Sequence, residues 1–257
     1  MDPVTQAKLL ALNRAFYSAV ADPFDATRQA TAPGMVALVE QLPAGDPVQG
    51  LTVVDVGCGN GRLARLLAGR GAPVLYVGVD ANPALLAHAR AQTATLPGLT
   101  AHFVEADLAY PGWEESVPRP QPAGFDVVAC LATLQHLPGY ALRLATVAAL
   151  ARLLRPGGLL ALSLWQFLDD PRLVAKQVDW ATYHIAPAAV EPGDALLPWQ
   201  QGTYAVRYVH QVNTAELADL AAQSGLEILN TYRADGKRGD LNLYAVLRQT
   251  AAPRRQS

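Results

Sequence analysis

The chain has 257 residues, 51% hydrophobic and 16% charged, with a formal net charge of -2. This length and hydrophobicity allow a full core and exclude an intrinsically disordered chain. A pI near 6.2 excludes a global positive field that would gather nucleic acid, and the Arg and Ala enrichment reads as genome composition rather than a basic patch.

In chain order, residues 3–20 place Leu9, Leu10, Leu12, Phe16 and Val20 at helical spacing, and Asp22-Pro23 predicts a break. A second helix is expected over 34–42 and a turn-rich linker over 43–50. A rhythm of strand, loop and helix follows. Residues 51–56, 74–79, 100–104, 125–131 and 159–165 read as strands, with helices over 62–70, from Asn82-Pro83 onward, and over 140–154. Asn82 is a good N-cap, and Pro83 falls where its missing N–H does no harm. Apolar strands without polar alternation, joined by helices, imply a parallel sheet covered on both faces. Residues 166–211 break the rhythm. Rich in Pro, Gly and aromatics, with a weak helix over 171–184, they read as a lid. Asn213 to Glu216 resembles a capping box for a helix ending at Gly225, and 226–232 with 241–247 read as a hairpin. Cys58 and Cys130 read as buried fillers of a reducing compartment, and no metal site is expected. No apolar run reaches the length of a membrane span and the N-terminus lacks signal-peptide order, so a cytoplasmic protein with no membrane contact is expected.

The glycine loop Gly57-Cys58-Gly59-Asn60-Gly61 lies between a strand and a helix. Glycine lets the backbone turn sharply and approach a ligand, and a helix N-terminus offers unpaired N–H groups. Nicotinamide enzymes share that feature. Here, however, Arg62 stands where the dinucleotide fingerprint has its third glycine. Asp55 can pair with a cationic amino group, Asp80 can accept two ribose hydroxyls, and Asp107 can accept an adenine amino group. Each alone could equally cap a helix. All three lie at the carboxyl ends of consecutive strands, where open α/β sheets bind ligands.

Val53-Val54-Asp55-Val56-Gly57-Cys58-Gly59-Asn60-Gly61, Gly78-Val79-Asp80, Glu105-Ala106-Asp107 and Leu154-Arg155-Pro156-Gly157-Gly158 resemble the ordered motifs of class I S-adenosylmethionine-dependent methyltransferases. The resemblance implies an α/β, Rossmann-like seven-stranded sheet, mostly parallel, with an antiparallel C-terminal strand. It implies S-adenosylmethionine as cofactor, with Ala81, Ala106, Leu108 and Leu131 joining the glycines and acids around it. Arg28 either approaches the methionine carboxylate or forms a surface ion pair. On this reading residues 1–250 are one methyltransferase domain: an N-terminal helical segment (1–50), a cofactor core (51–165), a lid (166–212), and a closing helix and hairpin (213–248). Residues 251–257 are expected to be disordered.

A narrower resemblance rests on Phe24-Asp25-Ala26-Thr27-Arg28, Leu131 to Leu137, Leu164-Trp165, Gly193 to Trp199, Arg207-Tyr208-Val209-His210 and Glu216-Leu217. These are similar to the tRNA wobble-uridine carboxymethyl methyltransferases. That similarity implies a modified tRNA as partner and a small zinc-binding activator subunit. A small-molecule acceptor, argued by the acidic pI and the apolar lid, stays open, as does a non-catalytic cofactor-binding subunit. A carboxylate acceptor needs no base but needs a cation, for which Arg207 is the candidate, with Tyr208 and His210 beside it. An alcohol or amine acceptor needs a base such as His136 or His210, unless His136 only packs against adenine. Trp199 and Tyr204 either stack on a base or fill the lid, and Trp165 reads as structural.

Overall fold

A computed structural model of the chain describes residues 1–27, 31–120 and 124–250; the expected disordered tail, 251–257, lies outside them. Helix α1 (Pro3–Thr27) continues through Pro23, where the sequence predicts a break. Proline removes the hydrogen bond to the carbonyl four residues earlier. Here the last turn is held instead by Asp25, which accepts from Asn60 Nδ2 and Gln92 Nε2, each at 2.8 Å. Helix α2 (Pro33–Gln41) follows.

The central run is β1 (Leu51–Val56), α3 (Arg62–Leu67), β2 (Val74–Asp80), α4 (Pro83–Thr93), β3 (Leu99–Glu105), β4 (Phe125–Leu131), α5 (Tyr140–Leu153) and β5 (Leu154–Trp165). Asn82 caps α4 by accepting from the amides of Ala84 and Leu85, as its side-chain chemistry predicts. β5 starts five residues earlier than the apolar pattern indicates. Leu154 pairs with Phe125, and a register irregularity follows between Phe125 and Val127.

Beyond β5 come a single turn α6 (Pro171–Val174), β6 (Asp194–Trp199), β7 (Ala205–His210), α7 (Thr214–Gln223), β8 (Leu226–Ala234) and β9 (Asn242–Gln249). The lid is thus built on an antiparallel β6–β7 ribbon rather than on a helix over 171–184. Alternation did not reveal the ribbon because both of its faces are buried: Ala195, Leu196 and Leu197 are all core residues.

Seven strands form one sheet in the order β3-β2-β1-β4-β5-β9-β8. β1 to β5 are parallel, and β9 runs antiparallel between β5 and β8. Val54, Val128, Leu160 and Leu162 pack on one face, and Val53, Val127, Ala161 and Val246 on the other. Each buried Val or Leu contributes roughly 1.5–3 kcal/mol. The carboxyl ends of β1 to β5 open toward α1 and the lid. No helix among the described residues is long and apolar enough to cross a membrane.

Candidate active site

A cavity of about 830 Å³ lies at those strand ends. Its floor is the loop after β1. Gly57, Gly59 and Gly61 all have positive φ, at 79°, 54° and 75°, a region L-side chains rarely enter. A Cβ on Gly57 would come within 2.1 Å of Thr133 Oγ1, whereas one on Gly59 would meet no protein atom within 4 Å. The bare Gly59 backbone therefore faces open cavity, room that a ligand can fill. Gly61 does not line the cavity; its Cα faces Ala89 of α4, where a Cβ would lie 3.2 Å from the Ala89 methyl. Its glycine serves helix packing.

Asp55 lines the cavity and accepts from Tyr76 Oη at 2.7 Å. Desolvation pushes its carboxyl up to about 7, so a cationic group would restore its ionised form. Asp80 accepts from the amides of Gly59 and Asn82, both at 2.9 Å, and burial raises its pKa. Cys58, Asn60, Ala81, Ala106, Asp107, Leu108 and Leu131 also border the cavity. Burial holds the Cys58 thiol well above its ordinary value, so it is no nucleophile. Asp107 is engaged by Arg14 of α1 at 2.8 Å and accepts the Ala109 amide at 2.9 Å; the sequence offered an adenine contact or a helix cap for it, and did not anticipate Arg14. Arg28 lies outside the described residues.

These groups fit S-adenosylmethionine. The open space at Gly59 could admit the nucleoside, Asp80 could take the ribose hydroxyls, and Asp55 could pair with the methionine ammonium.

The opposite wall carries Arg207 and His136, two of the residues expected on the acceptor side. Arg207 projects from β7 into the cavity. Its guanidinium carbon lies over the rings of Phe16 (5.1 Å) and Trp165 (4.9 Å). Its Nε is buried without a hydrogen-bond partner, and among the described residues no carboxylate pairs with it. His136 also lines the wall. Its Nε2 lies 2.8 Å from Tyr17 Oη and its Nδ1 3.3 Å from the Tyr208 carbonyl. Desolvation and the Arg207 charge lower its pKa to about 3. Neutral, it donates from Nδ1 to that carbonyl and accepts the Tyr17 hydroxyl at Nε2.

Tyr208 and His210, expected beside Arg207, face the other way. A strand turns alternate residues to opposite faces, so both enter the lid's interior, where Tyr208 Oη donates to Asp194 at 2.6 Å. Trp199 packs on Phe16 edge-to-face at 6.3 Å, filling the lid, while Tyr204 is exposed.

The sequence reading missed Asn13, Arg14, Tyr17 and Arg62, all of which line the cavity. Asn13 and Tyr17 share one face of α1 by their four-residue spacing, a signal that was present in the sequence. Asn13 ties α1 to the segment after β4 and to β7, donating to the His136 carbonyl (3.0 Å) and accepting the Tyr208 amide (2.8 Å).

Residues 53–158 match the family described as Methyltransferase domain. The ubiquinone biosynthesis O-methyltransferase of Thiobacillus denitrificans is 35% identical over 181 residues, covering 70% of this chain and 66% of that enzyme. The chain spans 63–67% of the length of such relatives. The trans-aconitate 2-methyltransferase of Rhodopseudomonas palustris is 35% identical over 157 residues, covering 59% of this chain and 54% of that enzyme. A solved methyltransferase from Methanosarcina mazei shares the fold at a TM-score of 0.64 and 20% identity, covering 84% of this chain and 98% of its own. Strand order, glycine loop, acidic strand ends and relatives agree: the chain belongs to the S-adenosylmethionine-dependent methyltransferases.

Proposed function

We propose that the acceptor is a small molecule that presents an anionic oxygen, best a carboxylate, to Arg207. The carrying observation is the Arg207 guanidinium itself, buried over two aromatic rings with no counter-ion among the described residues. A buried cation is costly unless something pairs with it, and a carboxylate matches its planar fork. His136 supports the same reading. With a pKa near 3 it is a poor proton acceptor at neutral pH, which disfavours acceptors that must be deprotonated by the enzyme.

The cofactor supplies a sulfonium methyl that is already reactive. The chain's work is alignment, which can contribute roughly 7–11 kcal/mol. Arg207 fixes the nucleophilic oxygen, Phe16 and Trp165 exclude water from it, and Asp55 and Asp80 anchor the donor. Leu10, Asn13, Arg14, Tyr17 and Ser18 of α1 form a roof over the cavity, which favours a small acceptor over a nucleic acid. The relatives' printed names, ubiquinone biosynthesis and trans-aconitate, also support a small molecule in place of the tRNA inferred from the narrower resemblance.

The test is a panel of small carboxylic acids, catechols and bulk tRNA with methyl-labelled cofactor. A small product whose label is released by mild alkali, as a methyl ester, is expected. An alkali-stable ether, or label appearing only in tRNA, overturns the reading.

A further inference from the structure

A second polar cluster lies behind the acceptor wall, on the side of the β6–β7 ribbon away from Arg207. Asp194 and His210 are partners across the ladder. His210 Nδ1 lies 2.7 Å from Asp194 Oδ1, and its Nε2 lies 2.7 Å from Glu216 Oε2 in the first turn of α7. Asp194 also accepts the Tyr208 hydroxyl (2.6 Å) and the Glu191 amide (2.8 Å). Glu216 accepts Arg143 Nε of α5 at 2.7 Å, and Arg143 reaches Glu191 at 2.8 Å and the Leu137 carbonyl at 3.2 Å. The side chains of His210 and Arg143 are 2% and 1% exposed.

A carboxylate can only accept, so a ring with one carboxylate on each nitrogen donates from both and is an imidazolium. Charges then alternate along the cluster: Asp194 negative, His210 positive, Glu216 negative, Arg143 positive, Glu191 negative. The chain of contacts leaves the lid at His210, enters the core at Glu216 and Arg143, and returns to the lid at Glu191. Buried pairs of this kind add little net stability over an apolar filling, but removing one partner strands a buried charge. They penalise a displaced lid far more than they stabilise the chain. Glu191, Asp194 and His210 are near enough to share a metal ion. Arg143 already occupies Glu191, however, and its charge would oppose a divalent cation.

We propose that His210 is a positioning residue, clasping the β6–β7 lid to α7 and α5 so that Arg207, on the lid's other face, is held in the acceptor cavity. The inference rests on Arg207 being the acceptor's anchor. Titration behaves accordingly. Burial opposes the charged ring, but the hydrogen bonds to Asp194 and Glu216 outweigh it and raise its pKa. The clasp is therefore complete below about 6.5, the ordinary histidine value, and is lost as pH rises through the raised one. Its neighbours are Asp194 of β6, Tyr208 of β7, Glu216 of α7, Arg143 of α5 and Glu191 before β6. Burial and Asp194 hold Tyr208 above its ordinary value; despite burial, Glu216 and Glu191 do the same for Arg143. Glu216 is held below its own, the His210 and Arg143 contacts outweighing burial.

The experiment is amide hydrogen exchange of 194–210 from pH 6 to 10, corrected for intrinsic rates, with the His210 ring titration followed by NMR. Wild type, Glu216→Gln and Arg207→Gln are compared, with S-adenosylhomocysteine affinity as control. Lid protection is expected to fall about tenfold or more as His210 loses its proton, while β1 and β2 amides stay protected. Glu216→Gln should lower the midpoint by about one unit, equivalent to tenfold, and Arg207→Gln should leave it in place. At any one pH the S-adenosylhomocysteine affinities of the three proteins should agree within about twofold. Constant lid protection through the titration, or a midpoint indifferent to Glu216→Gln, overturns the clasp. Neither readout needs an acceptor, so the carboxylate reading can fail in the panel assay while the clasp stands, and the reverse.

Discussion

The two walls of the cavity are built by different means. On the cofactor wall, Asp55, Gly57, Gly59 and Asp80 sit at the ends of adjacent strands, and Asp80 is itself hydrogen-bonded to the loop it faces. On the acceptor wall, Phe16, Tyr17, His136, Trp165 and Arg207 come from α1, the segment after β4, the end of β5, and β7. They meet through contacts such as Asn13 with Tyr208, 195 positions apart. A wall made of backbone geometry tolerates little change. One made of converging side chains can be altered residue by residue, which lets one cofactor scaffold serve different acceptors.

The sharpest way to break the first wall is Gly57→Ala. A left-handed Ala costs about 1–3 kcal/mol, and its Cβ would overlap Thr133. S-adenosylhomocysteine affinity by calorimetry should fall about 100-fold or more. On the second wall, Arg207→Gln removes hydrogen bonds to a charged group worth about 1.5–3 kcal/mol. The acceptor KM should rise roughly 10–150-fold, and cofactor Kd should stay within about twofold. If both constants rise together, the two walls are not separable.

A subtler contrast lies in pH. With its pKa raised to about 7 in the free protein, Asp55 is protonated below that value and ionised above it. Cofactor affinity should therefore weaken as pH falls, approaching tenfold per unit below about 7, with a proton released on binding. Calorimetry in buffers of different ionisation enthalpy measures that proton. The smallest effect is expected at His136. With its pKa near 3, kcat/KM should show no His136 inflection between pH 5 and 8. His136→Gln should lower kcat/KM only about 2–10-fold, the worth of the Tyr17 hydrogen bond. A loss of several hundredfold would restore His136 as a base.

The fold was legible in the sequence because its determinants are local. Apolar runs marked β1 to β5, Asn82 and Asn213 capped their helices, and the closing hairpin matched the antiparallel strand that the family resemblance implies. The lid ribbon was not legible, because a strand buried on both faces carries no alternation. Of the residues expected around the cofactor, Asp55, Gly57, Gly59 and Asp80 line the cavity, whereas Gly61 packs on α4, Arg14 engages Asp107, and Arg28 lies outside the described residues. Of the acceptor residues, Arg207 and His136 were placed at the cavity. Sequence proximity suggested that Tyr208 and His210 would join them, and strand pleat sent both to the other face.

By itself, then, the sequence determined the parallel sheet, the glycine loop and the acidic strand ends, because each follows from residues within a few positions of one another. Only the tertiary structure decided that α1 runs unbroken over the cavity, that Arg207 has no counter-ion among the described residues, and that His210 is held between two carboxylates. Those outcomes depend on which distant side chains share a buried space, and the strength of a charge or hydrogen bond is set by that surrounding.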